Sequence, residues 1–132
     1  MSFVPDQYID LLKDETRAYA SLATVMKDGS PQVTVVWFNT DGEYILVNSA
    51  RGRVKDHNMR KRPQVAVLVI DPKNPYRFVQ IRGRVVDYTE NGGREHIDAL
   101  NLKYRGEPKY PAGPDEVRVI FKILPEHVMA RG

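Results

Sequence analysis

The chain has 132 residues, 42% of them apolar and 28% charged, with a formal net charge of +3. That size and balance suit one domain around one core and exclude a disordered or fibrous chain, while the longest apolar runs, such as 65-VAVLVI-70, are far too short for a membrane helix. Cysteine is absent and the N-terminus MSFVPDQYID lacks a basic segment leading into an apolar one, so disulfides are excluded and a cytoplasmic location is expected.

A first helix is predicted from about Pro5 to Glu15, because proline suits the opening position and Tyr8, Leu11 and Leu12 recur at helical spacing. The period then changes. The segment 18-AYASLATVM-26, the turn 27-KDGSP-31 and 32-QVTVVWFN-39 read as a hairpin, and an Asp-Gly turn at 39-NTDG-42 leads to 43-EYILVNS-49, giving three successive antiparallel strands. Alternation puts Trp37 on the opposite face from Val36 and Phe38.

A short helix is predicted at 53-RVKDHNMRKR-62, ended by Pro63, with Val54 and Met59 facing the core and Lys55 and Asn58 one turn apart. The apolar 64-QVAVLVID-71 reads as a central strand. Next comes a long strand, 76-YRFVQIRGRVVDY-88, in which Gly83 marks a bulge or a close approach. A helix over 89-TENGGREHIDALNLKY-104, capped by Thr89, and a last strand 117-VRVIFKIL-124 complete the chain. Six strands joined mostly as hairpins predict an antiparallel split β-barrel, mainly β with flanking helices, in one domain spanning 1–132. So small a barrel is filled by its own side chains, so a ligand of cofactor size belongs at the rim or between subunits.

Charge is distributed unevenly. Between positions 51 and 62 stand Arg51, Arg53, Lys55, Arg60, Lys61 and Arg62 against the single acid Asp56, so this one element holds more positive charge than the chain as a whole. A basic helix is most often a solvated face. Here it follows a strand through the small residues Ser49, Ala50 and Gly52, which let backbone N–H groups approach an anion, and its N-terminus adds partial positive charge beside Arg53 and Lys55. A compact phosphate fits that pattern better than an extended polyanion. His57, His96 and His127 are too far apart in sequence for a metal pair, so no metal site is expected.

The order of 22-LATVMKDGSPQVTVVWF-38, 41-DGEYILVNSARGRVKDHNMRKRPQVAVLVID-71, 79-VQIRGRV-85, 104-YRGE-107 and 117-VRVIFKILPEHV-128 resembles the flavin and deazaflavin oxidoreductases with the split barrel of pyridoxamine 5′-phosphate oxidase. Within that superfamily the chain is most similar to the small proteins that use the deazaflavin F420. The resemblance implies an enzyme that is a homodimer, with two cofactor sites at the subunit interface and a small-molecule substrate. Asn48, Ser49, Ala50, Arg53, Val54, Lys55 and Asn58 match the loop and helix that hold the ring edge and phosphate. Gln32 and Val36 match positions beside the tricyclic ring, and Tyr76 and Phe78 match positions supplied by the other subunit. By charge alone, the helix near Arg60 and Lys61 is expected to meet the anionic oligoglutamate tail of the deazaflavin. The ending 125-PEHVMARG-132 lacks the tryptophan and paired arginines with which the oxidase branch binds pyridoxamine phosphate, which argues against that activity. FMN is the alternative cofactor. A single-stranded nucleic-acid binder is the competing class, disfavoured because most aromatic residues lie far in sequence from the cations.

Overall fold

Alternating apolar residues build seven strands, and the way the chain joins them closes the sheet. The computed structural model describes residues 3–132. The strands are β1 (Ala20–Val25), β2 (Pro31–Val36), β3 (Phe38–Thr40), β4 (Ile45–Ala50), β5 (Gln64–Asp71), β6 (Asn74–Thr89) and β7 (Arg118–Arg131). Helix α1 (Val54–Lys61) joins β4 to β5, and α2 (Gly93–Arg105) follows β6. The sheet order is β2-β1-β5-β6-β7-β4-β3, every neighbouring pair antiparallel. Its two edge strands, β2 and β3, are therefore consecutive in the chain, with only Trp37 between them. Edges joined by one residue must lie close together, so the sheet curls into a split barrel.

Residues of period two fill the inside. Leu22, Ile45, Val47, Val67, Val69, Val79, Ile81, Phe121 and Ile123 are all buried in one core, into which Leu11 and Leu12 insert from the N-terminal segment. No helix among the described residues is long and apolar enough to cross a membrane.

Several expectations are corrected. Among the described residues there are seven strands, not six, because the predicted strand 32–39 is cut at Trp37; β2 and β4 lie far apart in the sheet, so the three strands do not form one meander. The first helix is replaced by 3₁₀ turns at Asp6–Leu12 and Asp14–Thr16. Tyr8 and Leu11 are three residues apart, and that spacing aligns on a 3₁₀ helix. Val54 is 48% exposed and does not face the core, whereas Met59 does. Thr89 does not cap α2; its hydroxyl accepts from the Asn91 amide, and left-handed Gly92 precedes the helix. The last strand runs to Arg131 rather than stopping at Leu124. Pro125 is tolerated because it lies opposite Gly83 at a register shift between β6 and β7. A Cβ on Gly83 would come within 2.0 Å of the Leu124 carbonyl oxygen, so the close approach expected there is real.

Candidate functional site

The opening between the barrel's two edges is where the charges gather. A hollow of about 180 Å³ is lined by Val35 and Val36 of β2, Trp37, Asn48 of β4, Arg53 and Lys55 at the start of α1, Ile97 and Leu100 of α2, Tyr110, and Arg118 of β7. Its wall is fixed. Trp37 stacks on Tyr104 at 5.3 Å between centroids and meets Tyr110 edge-on at 6.1 Å. Tyr104 stacks on Tyr19 in turn, and its hydroxyl donates to the Ala18 carbonyl at 2.7 Å.

Three cations converge on this hollow. Arg118 is buried and pairs with Glu116 at 2.9 Å, but neither Arg53 nor Lys55 forms an ion pair among the described residues. Half-buried Lys55 has its pKa lowered first by desolvation and then by repulsion from Arg53 and Arg118. A cluster that depresses its own lysine is short of negative charge, so the donor set fits an anion. At about 180 Å³ the hollow has room for a phosphate-sized group beside the cations.

Backbone cradling by the small residues before α1 is not what the geometry offers. The Arg51 amide donates to the Val117 carbonyl, the Gly52 amide to the Asp56 carboxylate at 2.9 Å, and the Arg53 amide to the Ala50 carbonyl. Buried Asp56 also accepts from Arg60 Nε at 2.8 Å. The open groups are therefore the cationic side chains and the first-turn amides, which have no intrahelical partner.

The hollow brings together Val36, Asn48, Arg53 and Lys55 of the sequence-predicted residues. The others lie elsewhere. Ser49 and Ala50 are buried in the ladder with β7. Asn58 is buried on the far flank of α1, where its Nδ2 donates to Thr24 Oγ1 at 3.0 Å and its Oδ1 accepts from Arg62; Thr24 in turn donates to Gln32 Oε1. That chain ties α1 to the barrel, so the geometry gives Asn58 and Gln32 structural partners. Val54 and Asn58 line a separate hollow with Met26, Lys27, His57 and Lys61. Tyr76, 82% exposed, and Phe78 sit on the outer sheet surface, away from the hollow in the same chain. Arg60 is occupied by Asp56, Glu90 and the face of Tyr88, which leaves Lys61 as the freer of the two cations assigned to an anionic tail.

Sequence reasoning missed Arg118, Tyr110, Ile97 and Leu100. Arg118 reads as one polar residue in an alternating strand, and nothing local marks it. Its cross-strand partner is Ala50, the residue from which the chain leaves for α1, so only the ladder register reveals its place.

The fold has many relatives. A solved structure named F420 reductase is 38% identical, with a TM-score of 0.85 over 96% of this chain and 98% of that one. Conserved hypothetical protein Rv2991 from Mycobacterium tuberculosis is 22% identical, with a TM-score of 0.74 over 97% and 84% of the two chains. General Stress Protein 26 from Bacillus anthracis is 17% identical, with a TM-score of 0.66 over 94% of both. These last two likenesses show the fold alone. A comparison with curated proteins finds no match. The family model described as pyridoxamine 5′-phosphate oxidase matches residues 5–131, and the chain belongs to that family of split-barrel proteins.

Proposed function

We propose that the protein is an F420-dependent oxidoreductase that transfers a hydride between the cofactor and an unsaturated or conjugated organic substrate. The observation that carries this is the hollow at the split of the barrel, where half-buried Lys55 and exposed Arg53, without ion pairs among the described residues, await an anion. Family membership supports an oxidoreductase with a flavin-type cofactor, and the 38% identity to a protein named F420 reductase favours the deazaflavin over FMN. When bound, the deazaflavin supplies two-electron hydride chemistry. Lys55 and Arg53 would bind its phosphate, Trp37 and Val36 would limit where the attached ring enters, and the aromatic stack would keep water from that wall. The rings at the hollow are engaged with one another, Trp37 stacked on Tyr104 and edge-on to Tyr110, which favours this reading over a surface that stacks nucleic-acid bases.

The working unit proposed is a homodimer. The outer surface of the sheet carries Val33 and Val35, 65% and 66% exposed, with Ala66, Leu68, Ile70, Phe78 and Met129 in the same ladder rows. These apolar residues share the outer face with Ser21, Gln80 and Arg82, and a mixed sheet face with two valines this exposed suits a second copy of the chain. Tyr76 and Phe78, remote from the hollow in their own chain, would then belong to the partner's site.

Titrating the apo-protein with F420 and FMN in parallel tests the assignment. Tighter binding of F420, followed by oxidation of reduced F420 when conjugated acceptors are added, is expected. A preparation that emerges yellow with FMN and ignores F420 transfers the function to FMN. Failure to bind either cofactor would sink both.

A further inference from the structure

A polar chain behind the hollow, buried at Arg118 and Asn48 and partly buried at His96 and Asn39, has no role in the cofactor reading so far. Arg118 Nε donates to Asn48 Oδ1 at 2.7 Å, its Nη1 donates to Glu116 at 2.9 Å, and its guanidinium lies 5.2 Å from the centre of the Tyr110 ring. These contacts leave Nη2 with no protein acceptor among the described residues, although Arg118 lines the hollow. Asn48 lines it too, yet both of its N–H groups are engaged, one with the Gly93 carbonyl at 3.0 Å and one with His96 Nδ1 at 3.1 Å. An amide nitrogen only donates, so Nδ1 accepts and the imidazole proton sits on Nε2, which donates to Asn39 Oδ1 at 2.9 Å. The bonds thus run in a fixed sense, from Arg118 to Asn48 to His96 to Asn39.

We infer that Arg118 is a further anchor for the bound anion through Nη2, and that Asn48, His96 and Asn39 are positioning residues that aim its guanidinium and do not touch the ligand. The inference rests on the cofactor reading only for the identity of the anion. Its logic is one of donors and acceptors. Protonation of His96 would set an N–H against the Asn48 NH₂. The amide can relieve this by rotating its oxygen toward the imidazole, which turns its NH₂ toward Arg118 Nε–H. Two donors then face each other, and Arg118 loses the bond that holds it.

The surroundings keep the imidazole neutral. Burial, and then the charge of Arg118, lower the His96 pKa to about 4. Arg118 on β7, paired with Glu116, is the charge that acts on it; β3 and β4 present the neutral amides of Asn39 and Asn48, and Gly93 at the start of α2 presents its carbonyl. Gly93 makes the arrangement possible, since a Cβ there would stand 2.1 Å from the Arg118 carbonyl oxygen.

Trp37 is the only tryptophan and lines the hollow, so its fluorescence reports occupancy. Sulfate is the first probe, because it stays a dianion across the whole range in which His96 titrates; F420 is the second. Arg118→Lys, which cannot bond Asn48 and an anion in the same fork, should weaken sulfate binding roughly tenfold or more while the melting temperature is retained. Wild-type affinity should hold through neutral and mildly acid pH and fall as pH drops through about 4, where His96 protonates. His96→Gln supplies an acceptor and a donor but does not titrate, so it should keep affinity near neutral pH and lose the pH dependence; His96→Phe should bind weakly throughout. Wild-type affinity in Arg118→Lys, or a wild-type pH profile in His96→Gln, would overturn the inference. Where Arg118→Lys or His96→Phe fails to melt cooperatively, the profile of His96→Gln decides. Sulfate following this pattern while neither F420 nor FMN binds would uphold the positioning chain and remove the cofactor assignment; cofactor binding that ignores Arg118→Lys would do the reverse.

Discussion

Replacing Lys55 by methionine keeps most of the stem and removes the charge, and two effects of opposite sign are expected. The ammonium makes no ion pair among the described residues, so its free energy is available to a ligand. A charge-assisted bond to phosphate contributes about 1.5 to 3 kcal/mol, so cofactor affinity should fall about 10- to 150-fold. Stability of the apo-protein should move the other way. The folded state lowers the pKa of Lys55 from 10.5, by desolvation first and repulsion from Arg53 and Arg118 after it, so the unfolded chain holds the proton more tightly. Keeping the amine charged therefore costs stability throughout the neutral range, and the cost is relieved only as pH rises through the lowered pKa toward 10.5. Lys55→Met should melt at the same or a higher temperature than wild type near neutral pH, with the difference shrinking in alkali. Fluorescence titration with F420 and thermal melts of the apo-proteins measure both arms. Unchanged affinity, or affinity and melting temperature falling together, would refute the reasoning, because the second pattern is that of a structural lysine.

Asn58→Ala should behave in the opposite sense: it leaves Thr24 Oγ1 without its donor and Arg62 Nη2 without its acceptor, so urea denaturation should show a loss of about 1 to 3 kcal/mol, with cofactor affinity falling less than in Lys55→Met. Gly93→Ala presses a methyl into the Arg118 carbonyl and should lower stability by about 1 to 3 kcal/mol or more, detected in the same denaturation experiment; an unchanged midpoint would mean that α2 can draw back from β7 freely. Val33→Glu changes a side chain that the single chain already exposes, so the fold should survive, while sedimentation should show a dimer for wild type and a monomer for the variant. A wild-type protein that sediments as a monomer would remove the dimer proposal.

Much of the barrel is written locally. β4, β5 and α1 stand close to where alternation, the Asp-Gly turn and Pro63 put them, because each signal concerns neighbours in the chain. Misreadings occur where a distant contact overrides the local one. Pro125 looks like an end, having no N–H for a ladder, but Gly83 comes from more than forty residues away to take the space opposite it, and β7 continues. Val54 has the right spacing to face inward, yet α1 turns its other side to the barrel and fills that side with Asp56, Asn58 and Met59. Two of those three are polar, and their burial is made tolerable by partners on β1, on Gly52 and on Arg60 that periodicity cannot reveal.

The site was half legible for the same reason. Arg53 and Lys55 announce themselves as a run of charge, but the third cation comes from β7 and the aromatic wall from Trp37 and Tyr110, brought together only by closure of the sheet. Trp37 shows how this happens. Within 32-QVTVVWFN-39 it sits in a run of β-branched and aromatic strand formers, and nothing in the residues themselves marks a break. The sheet order requires one: the same segment must pair with β1 at one edge and with β4 at the other, and a single continuous strand cannot do both across the split. Trp37 takes up the change in direction, held by stacking on Tyr104, while Lys103 donates to the carbonyl of the next residue, Phe38, at 2.7 Å. The residue that closes the barrel therefore also forms a wall of the hollow, which binds the shape of the site to the closure of the fold.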